Sequence, residues 1–411
     1  MQPILTAEQE IARTLAETKF SLRAAFFDQR RKYCWKNIDA MVEHGLMGMT
    51  IPEEYGGKGA TLFEASLVAE ELARHCSFSA RVFVEANMGA IGAIMLYGSE
   101  AQKQLCAPLV LKGDKPAICI SEPETGSAAK DIQTTAHKRG SSYVLNGSKH
   151  WITGGGVSKL HLIFARTFDE NGHEEGIGAF IVIRDPDNGV YPEGFEITGV
   201  ERTLGLCGMP EAQVEFKNLE VDAAMHLETP NGPEHGFTDL MAVYNAQRLG
   251  IGTIAMGIAS SAMDEARDYM NERQQFDGTH SEFQGLQWMI AEMDTALHAS
   301  RLMLHEAARS AGPFGHHAPD VTLASRAKLF ASEAAIKVVN QALQLFGGRG
   351  YHAQEKIERM YRDVRMFTIG GGTAEILRNQ IANSVLSIKT PRANTVYATA
   401  MPASGFVEAA E

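Results

Sequence analysis

The chain has 411 residues, 45% of them hydrophobic and 21% charged, with 38 Lys and Arg against 50 Asp and Glu for a net charge of −12. A chain of this length and composition buries large cores in two or three domains, which excludes disorder, collagen and coiled coil. The negative balance, with no compensating basic patch, argues against nucleic acid or an anionic membrane as a partner.

No apolar run approaches the roughly 20 residues needed to cross a bilayer. The opening MQPILTAEQEIARTLAE also lacks a basic end followed by an apolar stretch, so the expected compartment is the cytoplasm. Cys34, Cys76, Cys106, Cys119 and Cys207 are odd in number and widely spaced, so buried reduced thiols are expected rather than a disulfide framework or a zinc site.

From Thr6 to Lys112 apolar residues recur at three and four positions, as in LVAEELARH, and predict helices interrupted by a loop at Pro52, Gly56, Gly57 and Gly59. From Ala117 to about His226 short alternating or β-branched runs take over: AICIS, SYVLNG, HLIFART, GAFIVIRD, FEITGV and AQVEF. They predict an antiparallel barrel or sandwich. Beyond Pro233 helical periodicity returns in long segments and persists to Ile388, after which the chain has no period. The expected fold class is α+β: an N-terminal helical domain (1–116), a middle β-domain (117–232), a C-terminal helical bundle (233–390) and a tail (391–411).

The phosphate-loop, zinc-protease, serine-elbow and dinucleotide signatures are all missing. His316 and His317 sit in a Gly/Pro-flanked loop where adjacent side chains diverge, so no metal site is expected there. Four glycine-bearing segments remain: ICISEPETGS (Ile118 to Ser127), KHWITGGG (Lys149 to Gly156), QLFGGRGY (Gln344 to Tyr351) and IGGGTAEILR (Ile369 to Arg378). Exposed amides in such loops and at helix starts can hold an anion, although each alone is also an ordinary turn.

Taken together, in this order and spacing, the segments resemble the acyl-CoA dehydrogenase family. PEEYGGKG, NGSKHWIT, RQQF, FQGLQWMIAEM and ERMYRDVRMFTI extend the match along the chain. The resemblance implies the helical, β and four-helix-bundle domains of that family, FAD as cofactor, an acyl-CoA thioester as substrate and a homotetramer. Carried over by position, it implies that Ile118, Ile120, Ser121, Trp151 and Thr153 flank the flavin, with Gly126 and Ser127 near the pyrophosphate or the acyl-CoA. It places Arg273, Phe276, Gln344, Gly347 and Gly348 at the adenosine end of FAD bound to a neighbouring subunit, and Thr373 and Glu375 over the cofactor. One departure is Asp277, where the family has glycine after the phenylalanine.

Dehydrogenation in this family needs a carboxylate to remove an α-proton. Most members carry it in a segment like I-Y-E-G-T, which here reads Ile369, Gly370, Gly371, Gly372, Thr373. A minority carry it on a C-terminal helix just before an arginine, and here that position is Gln247, followed by Arg248. An amide does not take a proton near pH 7.

Three explanations follow: a relocated carboxylate such as Glu85, serving a short or dicarboxylic acyl-CoA; a silent flavoprotein; or a reaction without α-proton removal, the preferred one. Arg81, on an otherwise small and apolar helix, would turn an acyl chamber towards an anionic acyl end, its planar fork suiting two oxygens. Tyr244, Asn245, Gln247, Arg248 and Ser127 complete the expected substrate contacts. CISEPETGSAA, EEGIGAF, YNAQR and FTIGGGTAEILR narrow the resemblance to the family's desulfinases, which lack the base and release sulfite from a sulfinate-bearing acyl-CoA.

Overall fold

The computed structural model describes residues 5–312 and 318–388; His316, His317 and the tail 391–411 fall outside them. The N-terminal domain consists of α1 (Ala7–Leu15), α2 (Ser21–Arg30), α3 (Trp35–Glu43), α4 (Leu62–His75), α5 (Ser77–Met88), α6 (Ala90–Tyr97) and α7 (Glu100–Leu111). Reciprocal caps fix two starts, Thr61 with Glu64 at α4 and Ser99 with Gln102 at α7, satisfying amides that a helix end leaves open. Every residue of α5 is buried, including Arg81 and Glu85. The stretch Ser77–Tyr97 is long and apolar enough to span a membrane, yet it lies inside this domain.

The middle domain comprises β1 (Ala117–Cys119), β2 (Thr135–Arg139), β3 (Ser142–Thr153), β4 (Leu160–Phe168), β5 (Glu174–Ile183), β6 (Phe195–Val200), β7 (Glu211–Asp222) and β8 (His226–Leu227). Of the expected antiparallel barrel or sandwich, the closed barrel is corrected here. The strands form one open eight-stranded sheet, ordered β6-β7-β3-β2-β4-β5-β8 with β1 beside β4. Both β1 and β2 pair parallel with β4, and the edge strands β6 and β8 do not meet. Period-two runs reveal strands but not their partners, which is why the sequence misled on closure.

The run HLIFA in β4 is continuous rather than alternating because both faces are covered. Leu160, Leu162 and Phe164 join the helical core, whereas Ile163 and Ala165 join a second core with Leu145, Ile152, Val214 and Phe216.

The C-terminal helical domain contains α8 (Gly236–Glu272), a short hairpin of β9 (Gln274–Gln275) and β10 (Gly278–Thr279), then α9 (Gln284–Arg309), α10 (Val321–Phe346), α11 (Lys356–Val364) and α12 (Ala374–Leu386). The 37 residues of α8, about 55 Å of helix, run against α4, α5 and α10. A Cβ on Gly250 would lie 2.4 Å from Val84. That contact seats α8 directly on α5 and brings Gln247 to Glu85.

Candidate functional site

Arg81 and Glu85 stand one turn apart on α5, and their side chains, 7% and 2% exposed, form an ion pair from Nη2 to Oε1 at 2.6 Å. From α8, Gln247 donates its Nε2 to the same Oε1 at 2.8 Å. This leaves Arg81 Nε and Nη1 and Gln247 Oε1 buried with no protein partner. A buried polar atom left unpaired costs about 1–3 kcal/mol, so three at one place mark a position where a ligand completes the bonding. The fork expected from Arg81 is therefore partly engaged: Glu85 holds one nitrogen and two remain for an anion. Glu85, the candidate for a relocated base, spends an oxygen on both Arg81 and Gln247.

The vacancy at Gly371 is structural as well as chemical. Its φ is +74°, and a Cβ there would meet Ile251 Cδ1 at 2.7 Å. The loop is held from below by its carbonyls: Arg248 Nε donates to Gly371 O at 3.1 Å and Lys328 Nζ to Gly372 O at 2.7 Å. Arg248 also donates to Asn245 Oδ1 and Gln380 Oε1 and lies over the Tyr244 ring. Asn245 returns its amide to α8 carbonyls. Of the five substrate residues expected from the helical domains, Arg81 and Gln247 thus keep free polar atoms, whereas Asn245 and Arg248 are absorbed in holding the loop. Burial pushes Lys328 down to about 7.

Two charged residues that sequence reasoning missed complete the cluster. Lys115, fully buried just before β1, donates to the backbone oxygens of Pro116 and Thr153. Burial lowers its pKa, with Glu85 acting in the opposite sense. Glu211 opens β7 opposite Thr153 of β3 and accepts the Thr153 hydroxyl at 2.9 and 3.0 Å. Burial raises Glu211 to about 7, opposed by Arg81, Thr153 and Lys115. Gly154 makes room for this arrangement, because a Cβ there would sit 2.5 Å from Lys115 Nζ and its φ is +78°. A lone charged residue in sequence is ordinarily a solvated one. Only the β3–β7 register, set by residues some sixty apart, brings Glu211 here.

Of the residues expected at a flavin ring, Thr153 touches this cluster through Glu211. Ile118 and Ile120 are half-buried on the helical core, and the Ser121 carbonyl accepts the His150 amide. Trp151 is 55% exposed, has φ +59°, and stacks on His150 with parallel rings 4.6 Å apart, so one broad face is presented outward. The loop bearing Gly126 and Ser127 is exposed, and no atom lies within 4 Å of a Cβ built on Gly126. Glu122 anchors that loop by accepting from Gln133, Thr134 and Lys149. Thr373 uses its hydroxyl to cap α12, with Glu375 exposed in the first turn.

Elsewhere, Arg273, Gln344, Gly347 and Gly348 line one cavity of about 750 Å³ with Tyr269, His280 and Arg349. A Cβ on Gly347 or Gly348 would meet nothing within 4 Å. Phe276, beside it in sequence, is 90% exposed. The structure thus brings together four of the five residues expected at an adenosine, Phe276 not lining the cavity, in a place that none of the Arg81 cluster lines. Among the described residues no group of three His, Cys, Asp or Glu is placed to hold a metal. The five cysteines are free, four of them buried, and burial raises their thiols.

Three comparisons bear on this site. Residues 6–114, 117–219 and 234–386 match the family models for the N-terminal, middle and C-terminal domains of acyl-CoA dehydrogenase. The chain is 50% identical over 395 residues to the 3-sulfinopropanoyl-CoA desulfinase of Cupriavidus necator, covering 95% of this chain and 98% of that one. With the enzyme of the same name from Paraburkholderia xenovorans it shares 52% identity over 381 residues, covering 93% and 95%. The solved butyryl-CoA dehydrogenase of Megasphaera elsdenii superposes with a TM-score of 0.84 at 29% identity, covering 94% of this chain and all of that one.

Proposed function

Because the chain belongs to the acyl-CoA dehydrogenase family, we propose that it keeps that family's flavin and thioester sites but performs a different reaction. The reading is an FAD-containing desulfinase that turns 3-sulfinopropanoyl-CoA and water into propionyl-CoA and sulfite with no net flavin redox. One observation carries it: the two stations where relatives keep a base hold Gly371 and Gln247, while Arg81, paired to the Glu85 that Gln247 also holds, presents unpaired buried donors. The desulfinases at about half identity support the same reading.

Arg81 binds the sulfinate oxygens through Nε and Nη1, since a buried anion needs a cationic partner with charge-assisted hydrogen bonds. Glu85 and Gln247 keep the guanidinium at one orientation, and the amide oxygen of Gln247 is open to a donor such as the water consumed at sulfur. The Gly371 loop, tied down by Arg248 and Lys328, keeps that station free of a carboxylate that would repel this substrate.

The residues present fit FAD: an exposed Trp151 face, the open backbone at Gly126, and a glycine-lined cavity beside Arg273. Ile118, Ile120, Ser121, Trp151 and Thr153 would hold the ring end, Gly126 and Ser127 the pyrophosphate, and Arg273, Gln344, Gly347 and Gly348 the adenosine of a neighbouring copy. When bound, the flavin supplies an electron-accepting surface beside the acyl chain. The exposed Phe276 next to that cavity supports contact with a neighbouring copy, in keeping with the homotetramer that the family resemblance implies, and unpaired buried cysteines support a cytoplasmic setting.

The test incubates purified protein with 3-sulfinopropanoyl-CoA and titrates sulfite with and without an electron acceptor. Sulfite release independent of acceptor is expected. Bleaching of the flavin and dye reduction with butyryl-CoA or glutaryl-CoA, and no sulfite, would replace the reading with dehydrogenation through Glu85.

A further inference from the structure

Desulfination leaves one requirement unmet by the residues assigned above. When the carbon–sulfur bond breaks and its electron pair stays with carbon, that carbon needs a proton, and neither Arg81 nor the amide of Gln247 is suited to give one. Glu85 is ion-paired to Arg81 and accepts the Gln247 amide, so it is not placed as the donor either.

Glu211 is the remaining carboxyl of the cluster. Its bonds run to the Thr153 hydroxyl, at 2.9 and 3.0 Å, and Thr153 belongs to the segment that the family resemblance assigns to the flavin ring. The charged groups facing it come from separate elements: Arg81 and Glu85 from α5 and Lys115 from the approach to β1. On the neighbouring strand edge Glu201 is already occupied by His150 and Gln213.

The charge count selects a state. With Glu211 ionised, two cations and two carboxylates cancel, and an incoming sulfinate would leave the buried cluster with an extra negative charge. With Glu211 protonated the cluster carries one net positive charge, which one sulfinate neutralises. Since unpaired buried charge is costly, anion binding and protonation of Glu211 favour each other.

Resting on the desulfinase reading, we propose that Glu211 takes up a proton as the anionic acyl end binds and delivers it, through the Thr153 hydroxyl, to the carbon released from sulfur. The step balances. The carbon–sulfur bond breaks, its electron pair goes to carbon, and carbon takes the Thr153 proton as Thr153 takes that of Glu211. Sulfur leaves as sulfur dioxide, whose reaction with water yields bisulfite and one proton. That proton restores Glu211, and no oxidant or reductant is consumed. Glu211 is a positioning and proton-supplying residue, because it acts through Thr153. Its place near pH 7 suits an acid that must be reloaded every turnover.

The experiment compares FAD-bound wild type, Glu211→Gln and Glu211→Asp in two assays. One is sulfite release from pH 5.5 to 9; the other is proton uptake on binding succinyl-CoA, a carboxylate counterpart, by calorimetry in buffers of different ionisation heat. Glu211→Gln is expected to lose about 10²-fold or more in kcat, as for removal of a general acid, with KM nearly unchanged. In wild type kcat/KM falls as pH rises through about 7, and Glu211→Gln loses that limb. Glu211→Asp retains the limb, displaced to lower pH. Succinyl-CoA binding takes up protons in wild type and not in Glu211→Gln.

Unchanged proton uptake in Glu211→Gln, or turnover within tenfold of wild type with the limb intact, overturns the proposal. Should Glu211→Gln not fold, an undisplaced limb in Glu211→Asp overturns it instead. Wild type that releases no sulfite refutes the desulfinase reading itself, a result seen without any variant.

Discussion

Arg81→Lys separates anion recognition from helix packing. A lysine on α5 keeps a positive charge one turn from Glu85, so the buried pair, at 7% and 2% exposure in the native chain, still has both partners. What disappears are the two unpaired donors, Nε and Nη1. A hydrogen bond to a charged group contributes about 1.5–3 kcal/mol, so losing two removes about 3–6 kcal/mol from substrate and transition state together. That corresponds to about 10²- to 10⁴-fold in kcat/KM. Arg81→Met instead leaves Glu85 buried without its cation, at a cost of about 3–5 kcal/mol to the fold. The double change Arg81→Met/Glu85→Gln should regain much of that stability while staying inactive. Sulfite release and thermal melting of the three variants provide the measurement. Turnover of Arg81→Lys within tenfold of wild type would refute the reasoning, as would equal melting temperatures for Arg81→Met and the double variant.

Gln247→Glu sets a second carboxylate against Glu85, where the native amide donates at 2.8 Å. The two should share a proton, and the anionic substrate should bind more weakly, so KM for sulfite release rises more at pH 8 than at pH 5.5. Gly154→Ala places a methyl 2.5 Å from Lys115 Nζ at φ +78°. The backbone part alone costs about 1–2 kcal/mol, and a lower melting point with reduced FAD content is expected by absorbance. Lys328 is lowered from 10.5 to about 7, so between those values the unfolded chain binds a proton that the folded chain does not. Stability attributable to Lys328 therefore rises with pH across that window. Melting of Lys328→Met should show a flatter slope from pH 7 to pH 9 than wild type, and an identical slope would count against the assignment.

Much of the fold was legible because the hydrophobic period changes twice, from helical to alternating near Ala117 and back near Pro233. What was not legible is pairing. The parallel contacts of β1 and β2 with β4 leave no mark on a single strand's sequence, so an antiparallel barrel or sandwich was expected. The site divides in the same way. Gly371 and Gln247 were readable as departures from a motif, and Arg81 as a charge on an apolar helix. Lys115 and Glu211 were not, since each is one charged residue at a strand boundary, and its burial depends on elements brought in from far along the chain. That Glu85 is paired with Arg81 and accepts the Gln247 amide is a contact only side-chain geometry reveals.

The left-handed backbone at Gly371 constrains what can occupy that position. A glutamate there would require a non-glycine residue at φ +74° and displacement of Ile251, whose own side chain is fully enclosed. Placing a carboxylate at this station therefore needs coordinated changes in the loop and in α8. A single substitution meets a steric barrier before it can have any catalytic effect.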